Sequence, residues 1–180
     1  VVVDVHEDVP AAVLQRSWIP RPLRRPLAWV TRGLLRLAEG VCVITLAEDG
    51  YRRLFKRAHP VFPNYPPAGS LPPLAWDAGH LVYVGDVTEE RGALDMVAAV
   101  GAMSRPRPLR LVGRCSGALA ERMRRRASEL GVRLEFTGLL PHRAAMEQAA
   151  AASAGLSLLR PLPNYLRSLP TKVVEYLEMG

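Results

Sequence analysis

The sequence is poor in cysteine and lysine, and it contains no long apolar run. Its two cysteines, Cys42 and Cys115, lie in or just after apolar strand-like segments. Their spacing indicates neither a disulfide framework nor a zinc site, and it fits a reducing compartment. No apolar run approaches the roughly 20 residues that a membrane-spanning helix needs, and no signal peptide is visible. The G-x-G-x-x-G fingerprint is also missing, which counts against a nicotinamide or flavin enzyme.

The basic side of the charge balance is almost entirely arginine. The formal net charge is +7 at pH 7, yet the only lysines are Lys56 and Lys172. Net positive charge suits phosphates, nucleic acid or an anionic membrane surface, although a GC-rich genome also enriches Arg, Ala, Leu, Val and Pro together. The arginine cluster in residues 122–126 lacks the interleaved aromatic residues of a nucleic-acid binder. We therefore expect a solvated helix face there and no nucleic-acid partner.

Short apolar runs alternate with helix-like segments along the chain. The predicted strands are 1–4, 41–45, a short one in 60–66, 81–85, 109–113, 132–138 and 154–159. The predicted helices are 22–40, 47–57, 91–103, 118–130, 141–152 and 170–179. This alternation predicts an α/β fold with doubly wound parallel sheets, because parallel strands need helical crossovers. The Pro- and Gly-rich stretch predicts a linker, and the predicted domains are 1–64, the linker 65–80, and 81–180.

A leucine-rich stripe runs through the predicted helix 22–40. Its apolar residues recur at helical spacing, which predicts a helix with one apolar face. They are Leu23, Leu27, Val30, Leu34, Leu35 and Leu37. We expect that face to point into the core. A helix lying on a membrane surface is the alternative.

The first candidate site follows the strand 81–85. Ligands of open α/β sheets bind beyond the carboxyl ends of the strands. Arg91 and Gly92 stand at the start of the next helix, where free amides, the helix dipole and a guanidinium favour an anion. The alternative is a surface arginine paired with Glu89 or Glu90.

The last helix carries the second candidate site. Ser168 and Pro170 mark its predicted start. A diphosphate there would meet free amides, the Thr171 hydroxyl and the Lys172 ammonium, and Glu175, one turn deeper, has the chemistry to accept hydrogen bonds from a ribose diol. An ordinary capped helix with solvated carboxylates is the alternative.

A third candidate site lies at the end of the first strand. Asp4 and His6 are predicted to share one strand face. Two ligand-type residues without a third make a weak metal site, so we predict no metal there. A buried structural histidine or a hydrogen-bonding partner of a substrate are the readings left open.

The order of these motifs resembles the family 4 glycosyltransferases of the GT-B fold. The resemblance covers nearly the whole chain, in the segments "VVVDVHEDVP", "VCVITLAEDGYRRL", "VFPNYP", "VYVGDVTEERGALDMVAAV", "LRLVG" and "LEFTGLLPHRAAMEQAAAASAGLSLLRPLPNYLRSLPTKVVEYLEMG". It implies two Rossmann-like domains, one for a nucleotide-diphosphate sugar and one mostly for the acceptor. It also implies sugar transfer with retention and without a bound metal or other cofactor.

The resemblance assigns roles to residues of this chain. Arg91 and Gly92 would meet the donor diphosphate, Glu175 would hold the ribose, and His6 would lie near the transferred sugar. The loop with Gly138, Leu140 and Pro141 would lie near the nucleotide base. The implied acceptor is a glycan, a lipid-linked molecule or a small molecule. The implied location is the cytoplasm, with peripheral contact to its membrane left open.

The chain departs from the family pattern at two positions. The first glutamate of the family's Glu-x7-Glu motif would fall at Arg167, and a second diphosphate-binding arginine would fall near Asp86. Arg91 and Lys172 are therefore expected to carry more of the diphosphate binding. The start "VVVD" and the end "EMG" suggest a fragment of a longer enzyme that is inactive alone. A non-catalytic anion- or nucleic-acid-binding module and a GT-B-like nucleotide-sugar epimerase are the alternatives.

Overall fold

The structure, a computed structural model, describes residues 1–16, 18–75, 79–166 and 168–180. The chain divides into two compact units. Unit 1 contains Val1–Asn64 and Pro161–Leu169, and unit 2 contains Tyr65–Arg160 and Pro170–Gly180. The domain boundaries predicted from the sequence stay a prediction.

Unit 1 is built around two parallel strands. β1 (Val2–Val5) pairs in parallel with β2 (Val43–Leu46). Between them come α1 (Val9–Gln15) and α2 (Arg21–Val41), and after them a 3₁₀ helix (Asp49–Leu54). The core of this unit consists of Val5, Ile44, Leu46, Tyr51, Leu54 and Phe55.

Three elements of unit 1 differ from the sequence-based predictions. The predicted helix 47–57 is only the short 3₁₀ helix, and the predicted strand in 60–66 is a single bridge between Leu46 and Val61. The helix α1 was not among the predicted helices. Its signal was present, because Asp8 caps the first turn by accepting from the Ala11 amide at 3.0 Å and Pro10 occupies an early helical position.

Buried Glu39 explains why the predicted helix 47–57 stops early. Its carboxylate accepts hydrogen bonds from the backbone amides of Lys56 (2.9 Å) and Arg57 (2.7 Å), and from His59 Nε2 (3.0 Å). These amides are the donors that a continuing helix would use, so the carboxylate competes with the helix. Burial alone would raise the pKa of Glu39, but the Arg57 amide, His59 and the Lys56 amide hold it at about 2.

Most of the leucine-rich stripe of α2 points away from the core of unit 1, which contradicts the predicted orientation. The side that packs inward carries Ala28, Ala38, Glu39 and one member of the stripe, Leu35. The other five members are each at least 40% exposed: Leu23, Leu27, Val30, Leu34 and Leu37. Within the described residues, no helix has the length and hydrophobicity of a membrane span.

Unit 2 contains a parallel sheet of four strands. In spatial order these are β5 (Leu134–Gly138), β4 (Leu109–Val112), β3 (Leu81–Val84) and β6 (Ala154–Gly155). The helices are α3 (Ala93–Gly101), α4 (Gly117–Glu129), α5 (His142–Ala150) and α6 (Thr171–Met179). One apolar cluster includes Tyr83, Met96 and Met123, and another includes Val82, Met146 and Met179. Alternate residues of β3 thus serve two cores, and the predicted α/β class with parallel sheets is confirmed.

Candidate functional site

Glycines allow the carboxyl ends of β3, β4 and β5 to lie close together. Gly113 has a φ of 148°, and a Cβ there would lie 2.1 Å from the Gly85 carbonyl oxygen. The Gly113 amide donates to the Gly138 carbonyl at 2.9 Å. A side chain at position 113 would push these strand ends apart, so glycine permits the close backbone approach.

Two cations from distant parts of the sequence meet at Gly85. Arg91 stands just before α3, and Lys172 lies in the first turn of α6. A Cβ on Gly85 would lie 3.2 Å from Lys172 Nζ and 3.5 Å from Arg91 Nη1. The structure therefore brings together two of the predicted diphosphate-binding residues at the carboxyl end of β3.

This clustering changes the acidity of Lys172. Burial, followed by the charge of Arg91, lowers the pKa of its ammonium to about 8, while Glu175 and Asp86 act in the opposite direction. Two like charges held close together in a partly buried place disfavour each other. An anion placed between them would relieve that repulsion.

Asp86, the residue after Gly85, lies in the field of both cations, and its carboxylate is already engaged. Arg114 Nε donates to its Oδ1 at 3.0 Å and Arg114 Nη2 to its Oδ2 at 3.3 Å. The hydrogen bond from Arg114 lowers the pKa of Asp86, and the charges of Arg91 and Lys172 contribute in the same direction. Asp86 thus accompanies the cations as a carboxylate that stays ionised.

Gly92 fixes the backbone next to Arg91. It adopts a φ of 76°, and a Cβ there would lie 1.9 Å from the Leu158 carbonyl oxygen. The Arg91 amide donates to Thr88 Oγ1 at 3.3 Å, and Glu89 forms an ion pair with Arg122. Glycine is required here because the chain after β6 passes directly over the start of α3.

The start of α6 differs in detail from the prediction. Its N-cap is Pro170, whose own side chain provides no capping hydrogen bond. The predicted cap Ser168 instead donates its hydroxyl to Glu48 Oε1 at 3.2 Å. Thr171 is exposed at the first helical position. Arg167, the expected place of the family's first glutamate, lies outside the described residues.

Glu175 lies one turn into α6, beside Lys172. Its side chain is 14% exposed, and its Oε1 is 4.0 Å from His142 Nε2. Its charge acts on the pKa of Lys172, which places the two groups in one electrostatic environment. A ligand that meets Lys172 can therefore extend toward a carboxylate that retains acceptor capacity.

The predicted base-side loop connects β5 to α5. Gly138 and Pro141 are exposed, whereas Leu140 packs partly against the core that contains Met146. Gly138 has a φ of 74°, which suits a tight turn. The loop thus presents Leu139, which is 69% exposed, and Pro141 to solvent, with Leu140 as its anchor.

Tyrosines 83 and 176 belong to this region, and the sequence pattern did not single them out. The Val84 amide donates to the Tyr176 hydroxyl oxygen at 3.0 Å. Gly155 leaves room for the Tyr176 ring, since a Cβ there would lie 2.4 Å from its Cδ2. Burial raises the pKa of Tyr176, so it stays protonated. This contact ties α6 to β3 directly below the cation pair.

The same contact explains why β6 is shorter than the predicted strand 154–159. The ladder to β3 ends with the Leu156 amide, which donates to the Val82 carbonyl at 2.8 Å. At the next position along β3, the acceptor for Val84 is the Tyr176 hydroxyl rather than a strand. The chain after Leu156 is then free to turn over Gly92.

His6 belongs to unit 1 and is exposed, which contradicts the reading as a buried structural histidine. Its Nε2 lies 2.7 Å from Asp4 Oδ2, and Asp4 Oδ1 accepts from the Thr45 hydroxyl at 2.7 Å. The hydrogen bond from Thr45, followed by that from His6, lowers the pKa of Asp4. The part of the chain that the structure describes contains no cluster of three or more His, Cys, Asp or Glu able to hold a metal ion.

Comparisons with known proteins support the fold. The sequence matches no protein-family model, and it matches no curated protein. Among solved structures, AviGT4, a glycosyltransferase involved in avilamycin A biosynthesis, is similar with a TM-score of 0.51 and 24% identity over 66% of this chain. HepE (Alr3699) from Anabaena, solved in complex with UDP and glucose, is similar with a TM-score of 0.61 and 13% identity over 99% of this chain.

These similarities concern architecture. The chain spans 36% of the length of AviGT4 and 50% of that of HepE. The predicted fold class, an α/β fold with Rossmann-like parallel sheets of the GT-B type, is confirmed. Membership of family 4 stays a prediction.

Proposed function

We propose that the chain is part of a retaining glycosyltransferase of family 4 that takes its sugar from a nucleotide-diphosphate donor. The observation that carries the proposal is the meeting of Arg91 and Lys172 at Gly85, at the carboxyl end of β3. The first turn of α6, whose N-cap residue provides no side-chain hydrogen bond, adds its amides and its dipole to the same region. Such a concentration of positive charge suits a diphosphate.

The proposed chemistry is electrostatic. As the bond between sugar and diphosphate breaks, negative charge grows on the diphosphate oxygens, and fixed cations lower the energy of that state. Arg91, Lys172 and Thr171 are proposed to bind the diphosphate. Gly92 is proposed to let the diphosphate come close to the backbone. These cations supply the charge that a metal ion supplies in other enzymes, so the proposal includes no bound metal. Turnover should be unaffected by a chelator.

Isothermal titration of the full chain with UDP, GDP, inorganic pyrophosphate and NAD tests the proposal. We expect binding of at least one nucleoside diphosphate and of pyrophosphate. Binding of NAD alone, or of no ligand in this set, would overturn it. A screen of nucleotide sugars with a hydrolysis readout would then identify the donor, and NMR of the product would give the anomeric outcome.

Glu175 is proposed to hold the ribose. It is mostly buried and lies one turn from Lys172, so a bound nucleoside diphosphate would place its ribose within reach. Glu175→Ala should weaken nucleoside diphosphate binding by about 1–3 kcal/mol, because a buried diol would lose its acceptor. Binding of pyrophosphate, which has no ribose, should not change. Equal losses for both ligands would refute the ribose role.

His6 is proposed to contact the transferred sugar, and this role stays a prediction. Asp4 orients the imidazole in unit 1. His6→Ala should lower turnover in the full-length enzyme, whereas His59→Ala, which removes a partner of Glu39, should act on stability. Normal turnover of His6→Ala would exclude His6 from the site.

A glycan or lipid-linked acceptor and contact with an anionic membrane surface complete the proposal. Most of the stripe of α2 is exposed, and the exposed charged residues of that helix are all arginines (Arg21, Arg25 and Arg36) because its one acid, Glu39, is buried. Apolar and cationic faces together suit an anionic lipid surface. Replacing both Leu34 and Leu37 by Gln should abolish cosedimentation with phosphatidylserine vesicles. Equal sedimentation of the unmodified chain and of the double variant would refute contact with the membrane surface.

A further inference from the structure

Lys172 is held by one side chain of β3, namely Tyr83. The Lys172 ammonium donates to the Tyr83 hydroxyl at 3.3 Å. Its nitrogen also lies 4.4 Å from the centre of the Tyr83 ring. A flexible lysine is thus attached both to a hydroxyl oxygen and to the face of an aromatic ring, which attracts cations.

Tyr83 itself cannot move easily. It is 0% exposed and belongs to the apolar core that includes Met96 and Leu111. Its hydroxyl donates its one proton to the Asp86 carbonyl oxygen at 2.9 Å. Because the hydroxyl proton is used in that bond, the ammonium can interact with this hydroxyl only through the lone pairs of its oxygen. The hydroxyl therefore acts as a fixed acceptor for Lys172.

The position of that acceptor matters for the site. Tyr83 lies two residues before Gly85, and the Lys172 nitrogen comes within 3.2 Å of the place where a Gly85 side chain would begin. A free lysine side chain at the start of a helix would swing away from Arg91 and from the helix dipole. Tyr83 counteracts both repulsions without supplying a negative charge, so the positive potential offered to a ligand is preserved.

We propose that Tyr83 is a positioning residue: its hydroxyl fixes the Lys172 ammonium at Gly85 in the orientation that meets the diphosphate of the donor. The part of this inference that concerns the diphosphate rests on the proposed function. The contact between Tyr83 and Lys172 is testable without any ligand.

Tyr83→Phe is the decisive variant, because it removes the hydroxyl and keeps the ring in the core. Its affinity for pyrophosphate and for a nucleoside diphosphate should fall by about threefold to tenfold alike, the usual effect of one lost hydrogen bond. Tyr65→Phe is the matched control, since Tyr65 is 58% exposed and lies in the same unit. Unchanged affinity of Tyr83→Phe would overturn the proposal.

A double-mutant cycle separates positioning from mere packing. If the hydroxyl acts through Lys172, Tyr83→Phe should cause no further loss of affinity in a Lys172→Met background. If it acts only on the core, the two losses should multiply, which would overturn the proposal. Thermal unfolding of all four proteins shows whether a loss of affinity follows from a loss of structure.

NMR of labelled lysine provides the readout that needs no ligand. The chain has only two lysines, Lys56 and Lys172, so selective labelling should give two signals. Tyr83→Phe removes an acceptor for the ammonium and should move the Lys172 midpoint to lower pH. An unchanged Lys172 midpoint would overturn the contact. Failure of the unmodified chain to bind any diphosphate, with the contact intact, would instead overturn the proposed function.

Discussion

Glu39 in unit 1 and Lys172 in unit 2 are ionisable side chains withdrawn from water, and their surroundings treat them in opposite ways. Glu39 accepts from two backbone amides and one imidazole, and its pKa is held at about 2. Lys172 is withdrawn from water without such partners, and its burial, followed by the charge of Arg91, lowers its pKa to about 8. The surroundings of Glu39 favour its charged form, and those of Lys172 disfavour it. The hydrogen-bonded charge of Glu39 stabilises the fold, whereas the charge of Lys172 is available to a ligand.

The largest expected effect concerns Glu39. Glu39→Ala should lower the free energy of unfolding by about 3 kcal/mol or more, because the amides of Lys56 and Arg57 and the ring of His59 would lose their acceptor. Denaturant unfolding measures this. Glu129→Ala removes an exposed carboxylate paired with Arg126 and should change stability by at most about 0.5 kcal/mol. Equal effects of the two substitutions would show that the hydrogen bonds to Glu39 stabilise the fold no more than an exposed ion pair does.

The next effect concerns the affinity of the site. Lys172→Met should weaken nucleoside diphosphate binding by about tenfold to a hundredfold, since a charge-assisted contact to phosphate is lost. Lys56→Met is the matched control, because Lys56 is exposed and contributes its backbone amide rather than its side chain to Glu39. Isothermal titration compares the two variants. Similar affinities in both would mean that Lys172 does not bind the ligand.

The pH dependence gives a third, smaller effect. Below about pH 8 Lys172 carries its proton, and above it the proton is lost. A bound diphosphate favours the protonated form, so affinity should fall by about tenfold between pH 7 and pH 9.5, with proton uptake on binding. Titrations in buffers of different ionisation enthalpy measure that uptake. A pH-independent affinity would contradict the assignment.

The smallest effect is a gain in stability. The folded-state pKa of Lys172 lies below its unfolded value of 10.5, so at neutral pH the folded chain bears the cost of keeping the proton. That cost disappears as the pH rises from about 8 toward 10.5. Lys172→Met should therefore raise the free energy of unfolding at pH 7 by up to about 1 kcal/mol, and the gain should shrink above pH 8. If Lys172→Met instead lowers the free energy of unfolding at pH 7, then Lys172 stabilises the fold, as Glu39 does.

The sequence was sufficient for the regular parts of unit 2. The runs at Leu81–Val84 and Leu109–Val112 were predicted within one residue, because buried parallel strands are continuous apolar segments. The positions of Arg91 and Lys172 at the starts of α3 and α6 were also predicted, whereas their binding role stays a prediction. Local patterns suffice where the determining contacts are close in sequence.

The remaining features depend on contacts between residues far apart in the chain. The helix expected at 47–57 is cut short by Glu39, 17 residues before Lys56. The strand expected at 154–159 stops where Tyr176 takes over the acceptor role. Tyr83 was indistinguishable from a core residue of β3, because only the structure brings its hydroxyl to Lys172. Periodicity along the chain carries no information on such pairs.

The bond between the Val84 amide and the Tyr176 hydroxyl has a consequence for how this site can change over evolution. It fastens α6 to the sheet from the middle of the helix, while the N-cap residue provides no side-chain hydrogen bond. Residues before Pro170 can then be lengthened, shortened or replaced without displacing Lys172 and Glu175. Helix α6 and the segment that leads to it become separately variable, so the segment can change while the helix stays in register.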